Sequence, residues 1–152
     1  MRSGLLSGAL AGAAGTTMLN AVTYADMAIR GRSASGMPAQ VVDAITDRAG
    51  VELGDEETAS NRAESLGALV GIGVGVGVGA VFGLLRSRVR LPVPVAAVGL
   101  GLAATAATDG PAAALDLTDP RTWGTESWLS DLVPHLAYGL VTAIALEGLA
   151  GG

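Results

Sequence analysis

The stretch Leu66–Leu85, LGALVGIGVGVGVGAVFGLL, constrains this chain more than any other. Its twenty residues carry no charge and stop at Arg86, Arg88 and Arg90. As a helix, about twenty residues rise about 30 Å, the thickness of a bilayer's hydrocarbon core. The stretch therefore reads as a membrane-spanning helix. Glycines recur at Gly67, Gly71, Gly75, Gly79 and Gly83. Small residues four apart clear one helix face of bulk, so that another backbone can approach it. The Val-Gly alternation from Gly71 to Gly79 also has the period of a strand. An open strand edge, however, leaves costly unpaired backbone groups in lipid, and no other stretch supplies the alternating strands of a barrel.

The rest of the composition agrees. The chain is 50% hydrophobic but only 3% aromatic, and its mean hydropathy is +0.50. A soluble core of this size normally draws on more Phe, Tyr and Trp, which bury the most area. Ala, Gly, Val and Leu suit helices packed in lipid. All nine basic residues are arginine, there is no cysteine, and there is a single histidine. That composition points to a bacterial source and excludes disulfides, thiolate metal sites and a histidine metal cluster. Net charge −5 argues against a nucleic-acid partner. No cofactor is expected, and the P-loop, HExxH and GxSxG patterns are missing.

Taken in order, the first span is Gly4 to Ile29. Gly4, Gly8 and Gly12 form one four-residue ladder; Ser7, Ala11 and Gly15 form a second beside it. Both are expected to face other helices. The reading adopted is an uncleaved helix; the alternative is a signal peptide cut after Thr23-Tyr24-Ala25. Arg30 and Arg32 close the span, and GRSASGMP is a turn by composition. From Pro38 to Ala49 a short helix places Val41, Val42, Ile45 and Ala49 on one face, with Gln40, Asp43 and Asp47 opposite, and Gly50 ends it. Asp55 then caps a helix with acids in its first turn. That helix is read as running through Leu85 to about Val89.

The third span, Leu91 to Thr108, ends at Asp109-Gly110-Pro111. It is expected to pair with the second in a tight antiparallel hairpin, with Gly99, Ala103 and Ala107 as its small face. Trp123 and Trp128 place Thr122 to Asp131 along the interface. The fourth span starts near Ser130, with Pro134 in its first turn, and runs through Leu149.

Ionisable groups are expensive near a membrane core and are functional suspects for that reason. Asp26 closes a polar stripe with Thr16, Asn20 and Thr23. The stripe serves either as a pathway or as hydrogen bonds to neighbouring helices, with Asp26 paired to Arg30. Asp131, His135, Tyr138 and Thr142 share a face, on which an Asp one turn before a His can set the imidazole's protonation. Asp26, Asn20, Asp109, His135 and Tyr138 are the candidate polar relay. Gly4, Gly8, Gly12, Gly67, Gly71, Gly75, Gly79 and Gly83 are the candidate helix-packing set.

Two resemblances follow from these residues. From Gly71 to Asp109 the chain resembles the ion-carrying proteolipid of rotary ATP synthases. Gly71, Gly73, Gly75, Gly77 and Gly79 match its GxGxGxGxG helix. Arg90-Leu91-Pro92 is similar to its Arg-polar-Pro loop but apolar in the middle. Asp109 follows at about the sequence distance of its ion-binding carboxylate, yet sits at the end of its span. Two further spans stay unexplained, and Glu147 lies too near the end to be the central carboxylate of the four-span version. More of the chain is similar to YagU-type bacterial inner-membrane proteins: Gly15-Thr16-Thr17-Met18, Gly31-Arg32 with Ser35 and Pro38, Trp128, and His135 opening a last span. That resemblance implies a multi-pass inner-membrane protein of unsettled activity, and no mechanism transfers.

The expectation is an all-α, four-helix transmembrane bundle in one integral membrane domain. Its spans are about 4–29, 66–85, 91–108 and 131–149, with a short amphipathic helix in the extramembrane loop 30–65. Arginine density at Arg2 and at Arg86, Arg88 and Arg90 places both termini in the cytoplasm of a bacterial inner membrane. The leading role is a non-enzymatic structural or accessory protein, packing through glycine faces on itself or on another membrane protein in the lipid bilayer. The alternative is a small transporter or ion-conducting protein using Asp26 and His135.

Overall fold

A computed structural model describes residues 4–86 and 88–150. The fold is all-α: α1 Gly4–Arg30, α2 Met37–Ala49, α3 Glu56–Leu85, α4 Val93–Ala114 and α5 Thr125–Ala150, with a 3₁₀ turn at Pro120–Thr122. Four of the helices, α1, α3, α4 and α5, are long and apolar enough to cross a bilayer. That property marks a multi-pass membrane protein.

The small residues decide which helices touch. Gly4 stands against Gly83, Gly8 against Gly79, and Gly12 against Gly75. The numbers rise on α1 as they fall on α3, so the two helices are antiparallel and in register along three turns. The second ladder of α1 is buried as well, at Ser7 and Ala11, and its Gly15 faces Tyr138 and Thr142 of α5. Helix α1 therefore sits between α3 and α5, and α5 packs in turn on α4. The α4–α5 seam is again small against small. A Cβ on Gly139 would meet the Ala97 carbonyl oxygen and stand 2.6 Å from the Gly101 nitrogen.

The hairpin expected between α3 and α4 is loose. These helices touch far less than the α1–α3, α1–α5 and α4–α5 pairs do. The α3 side chains that reach the α4–α5 core are the bulky Val78 and Phe82, which keep backbones apart. Helix α2 packs on α3 and also touches α4. Its buried residue is Val42, while Ile45 is 51% exposed and Ala49 is exposed. The expected face of Val41, Val42, Ile45 and Ala49 is thus rotated, because the helix is pinned where Pro38 meets Gly67. The small face of α4 is likewise Ala97, Gly101 and Ala104, not Gly99, Ala103 and Ala107. Gly99 has open space around it.

Several helix ends differ from expectation for local reasons. Asp55 caps α3 as read, accepting from the Thr58 amide at 2.9 Å. That helix stops at Leu85, short of Val89. Gly50 ends α2 as read, in the left-handed region at φ +66°. Helix α4 does not stop at Asp109; it runs through Pro111 to Ala114. The residue before a proline normally avoids helix because its Cβ crowds the ring, and here that residue is Gly110. Three alanines after the proline, with Ala112 buried, favour helix. Helix α5 starts at Thr125, so Pro134 lies well inside it instead of in its first turn. Trp123 and Trp128 pack together just before and inside that start, ring centroids 5.0 Å apart. Trp123 also donates its indole N–H to Thr118 Oγ1 at 2.8 Å.

Candidate functional site

The earlier start of α5 places Asp131 about two turns inside the helix, and His135 one turn deeper. Both face α4. His135 is 8% exposed. Its Nδ1 lies 2.8 Å from the Asp131 carbonyl oxygen and 3.2 Å from Asp131 Oδ1. Its Nε2 lies 3.4 Å from Thr108 Oγ1. The Thr108 hydroxyl in turn reaches the Ala104 and Thr105 carbonyl oxygens at 3.2 and 3.0 Å. Asp109 follows Thr108 directly on α4 and is half-buried. Asp131 Oδ2 and Thr105 Oγ1 are buried without a hydrogen-bond partner. The Asp131 carboxyl, the His135 imidazole and the Thr108 hydroxyl thus meet between α4 and α5, and no hydrogen bond among the described residues brings a guanidinium to them.

Asp26 belongs to a different group. Its carboxylate accepts from Arg30 Nε at 2.7 Å and Nη2 at 2.5 Å, and from Arg32 Nε at 2.7 Å. Arg30 continues across to α5, donating to Glu126 Oε1 at 2.6 Å and Ser130 Oγ at 2.5 Å. This is a strap holding the end of α1 to the start of α5. It lies on the α1 side of α5, whereas His135 engages α4, and no hydrogen bond among the described residues joins the two groups.

The remaining relay candidates separate as well. Asn20 is exposed, so it lies outside the bundle interior. Thr16, one turn earlier, turns back to the Gly12 carbonyl oxygen at 2.9 Å. Tyr138 is fully buried and donates its hydroxyl to the Gly75 carbonyl oxygen at 2.7 Å. It pins α5 to α3 and makes no hydrogen bond to His135. Of the five relay residues, only Asp109 and His135 lie near one another, Asp109 following directly on the Thr108 that faces His135 Nε2.

The glycine set also divides by partner. Gly4, Gly8, Gly12, Gly75, Gly79 and Gly83 form the α1–α3 seam, and Gly67 meets the Pro38 backbone of α2. Gly71 packs on no other helix among the described residues: apart from its own helix backbone and chain neighbours, nothing lies within 4 Å of the position its Cβ would take, and the same holds for Gly73 and Gly77. A four-residue ladder drifts around a helix with a repeat of 3.6 residues, so one stripe cannot keep facing one neighbour over five turns.

Other charged groups act at the helix ends. Arg86 Nη2 pairs with Glu147 Oε1 at 2.6 Å, tying the end of α3 to the end of α5. Arg2 lies outside the described residues. The Thr58 amide holds the Asp55 carboxyl below its ordinary value. Sequence reading paired Asp131 with His135 but left Asp131 out of the relay. It did not single out Thr108, because the His135 it faces lies on another helix. No protein family, curated protein or solved structure matches this chain.

Proposed function

We propose that the protein is a non-enzymatic structural or accessory membrane protein that assembles with a second copy or another membrane protein through the outer face of α3. The observation that carries this reading is the set of unpartnered glycines Gly71, Gly73 and Gly77. Glycine is about 1 kcal/mol poorer than alanine in a helix interior, and lipid gains nothing from its presence. A backbone approaching from outside does gain. Leu69, Val70 and Ile72 flank these glycines and are exposed. The six glycines of the α1–α3 seam are consumed within one chain, so assembly falls to the others.

The test separates the two sets. Gly73→Leu is expected to lower the native mass of the particle extracted in mild detergent while leaving its unfolding midpoint in place. Gly79→Leu is expected to destroy the bundle itself. A parent particle that is already a single chain in mild detergent and in nanodiscs sinks the proposal.

A second reading, a small ion-conducting protein, is favoured by the Asp109, Asp131 and His135 group and no longer by Asp26, which its arginines hold. It predicts flux in proteoliposomes that is lost in His135→Gln, and a parent without flux removes it.

A further inference from the structure

We infer that the turn between α3 and α4, Arg88 to Leu91, is an anchoring site for anionic phospholipid headgroups, with Arg88 and Arg90 as the groups that take the phosphate. The inference does not depend on how the protein assembles. It starts from how the fold distributes charge. The whole chain is acidic, with net charge −5. Because Gly4 meets Gly83 and Gly12 meets Gly75, the start of α1 and the end of α3 share one end of the bundle. Helix α4 opens there as well, at Val93, and the Arg86–Glu147 pair brings in the end of α5. Every Asp and Glu except Glu147 lies in the far halves of the helices or in the α1–α3 and α4–α5 connections. Glu147 is itself held by Arg86 at 2.6 Å. Arg88 and Arg90 are both exposed, and among the described residues neither makes an ion pair. Folding thus gives an acidic chain one cationic end, and two guanidiniums there carry no counter-charge from the protein.

The surroundings of the two arginines select a lipid over a soluble anion. The amides of Arg88 and Val89 both return to the Leu85 carbonyl oxygen, at 2.9 and 3.0 Å. The turn therefore closes directly on the apolar end of α3, which sets the arginines at the edge of the spans. Val89 and Leu91, interleaved with them, are exposed apolar side chains. Deeper along the same two helices, Val81 and Leu85 of α3 and Val95 and Val98 of α4 are exposed as well. A free phosphate gains nothing from these flanks, whereas a phospholipid meets both parts: its phosphate the guanidiniums, its chains the valines and leucines. The guanidinium presents a planar fork of donors that matches phosphate oxygens. Each basic residue beside a span strengthens attraction to an anionic leaflet about fivefold.

The test is native mass spectrometry of the full chain released from bilayers of equal parts phosphatidylcholine and phosphatidylglycerol, counting the lipids of each kind that stay bound. The parent is expected to retain phosphatidylglycerol in excess. Arg88→Gln and Arg90→Gln should each lower that excess about fivefold, and the double substitution should abolish it. Arg121→Gln, at the opposite end of the bundle, should leave it unchanged. Both arginines of the turn are exposed, so the variants are expected to keep the parent's unfolding midpoint in phosphatidylcholine alone, which separates lost binding from lost folding. A parent that retains the two lipids equally overturns the inference. So does an excess that survives the double substitution, or one that Arg121→Gln removes as well. Displacement of the lipid by soluble glycerol phosphate at fixed ionic strength also overturns it and marks a soluble-phosphate site instead.

Discussion

Gly8 and Gly79 face each other so closely that neither position has room for a side chain. A Cβ on Gly79 would stand 2.5 Å from the Gly8 carbonyl oxygen and 2.6 Å from the Gly12 Cα. Both obstacles are backbone, so relief requires the helices themselves to part.

Gly79→Ala should therefore destabilise the fold by at least the about 1–3 kcal/mol typical of overpacking. Gly73→Ala, with open space around it, should be neutral or gain up to about 1 kcal/mol from helix propensity. Unfolding in mixed detergent micelles checks both. Equal effects at the two sites would remove the assignment of Gly79 to the α1–α3 seam.

Tyr138→Phe keeps the buried ring and removes its bond to the Gly75 carbonyl oxygen. The expected loss is about 0.5–1.5 kcal/mol, at the lower end if membrane hydrogen bonds keep their usual worth of about 0.6 kcal/mol. The carbonyl retains its helical partner, so no buried acceptor is orphaned. The same unfolding measurement reads the difference.

Gly67→Ala should loosen α2 from α3, since the new Cβ would lie 2.8 Å from the Pro38 carbonyl carbon. Amide exchange in Met37–Ala49 is expected to speed up while α1 and α5 stay protected. Unchanged exchange in α2 would contradict that contact.

The Arg30 strap should fail unevenly. Asp26 meets two guanidiniums, whereas Glu126 meets one and its side chain is 81% exposed. Surface pairs contribute little, so Glu126→Gln should barely matter, and Asp26→Asn should do more. Exchange at the end of α1 ranks the two, and the reverse order would count against the strap.

The Asp55 cap should respond to acid. Its carboxyl titrates below the ordinary aspartate value when folded. The stability it adds is present above the unfolded value and is lost as pH falls through the folded one. The Thr58 amide should exchange faster as the carboxyl protonates. Asp55→Asn, which still caps, should abolish that dependence.

The spans, the Asp55 cap, the Gly50 terminus and the two small ladders of α1 were legible in the sequence, because each depends on residues close together in the chain. Length, missing charge and local backbone chemistry settle them before any packing occurs. Even the two ladders of α1 announced two neighbours. Which neighbours was decided only in three dimensions. Gly75, Gly79 and Gly83 match α1 in register, while Gly71, in the same ladder, turns away. The site shows the same limit. Asp131 and His135 share a helix turn and could be paired on sequence, but Thr108 joins them only because α4 meets α5 along Gly101 and Gly139. Helix formation is a local choice of the backbone, whereas the meeting of Thr108 and His135 depends on how closely separate helices approach, and only the tertiary packing decides that.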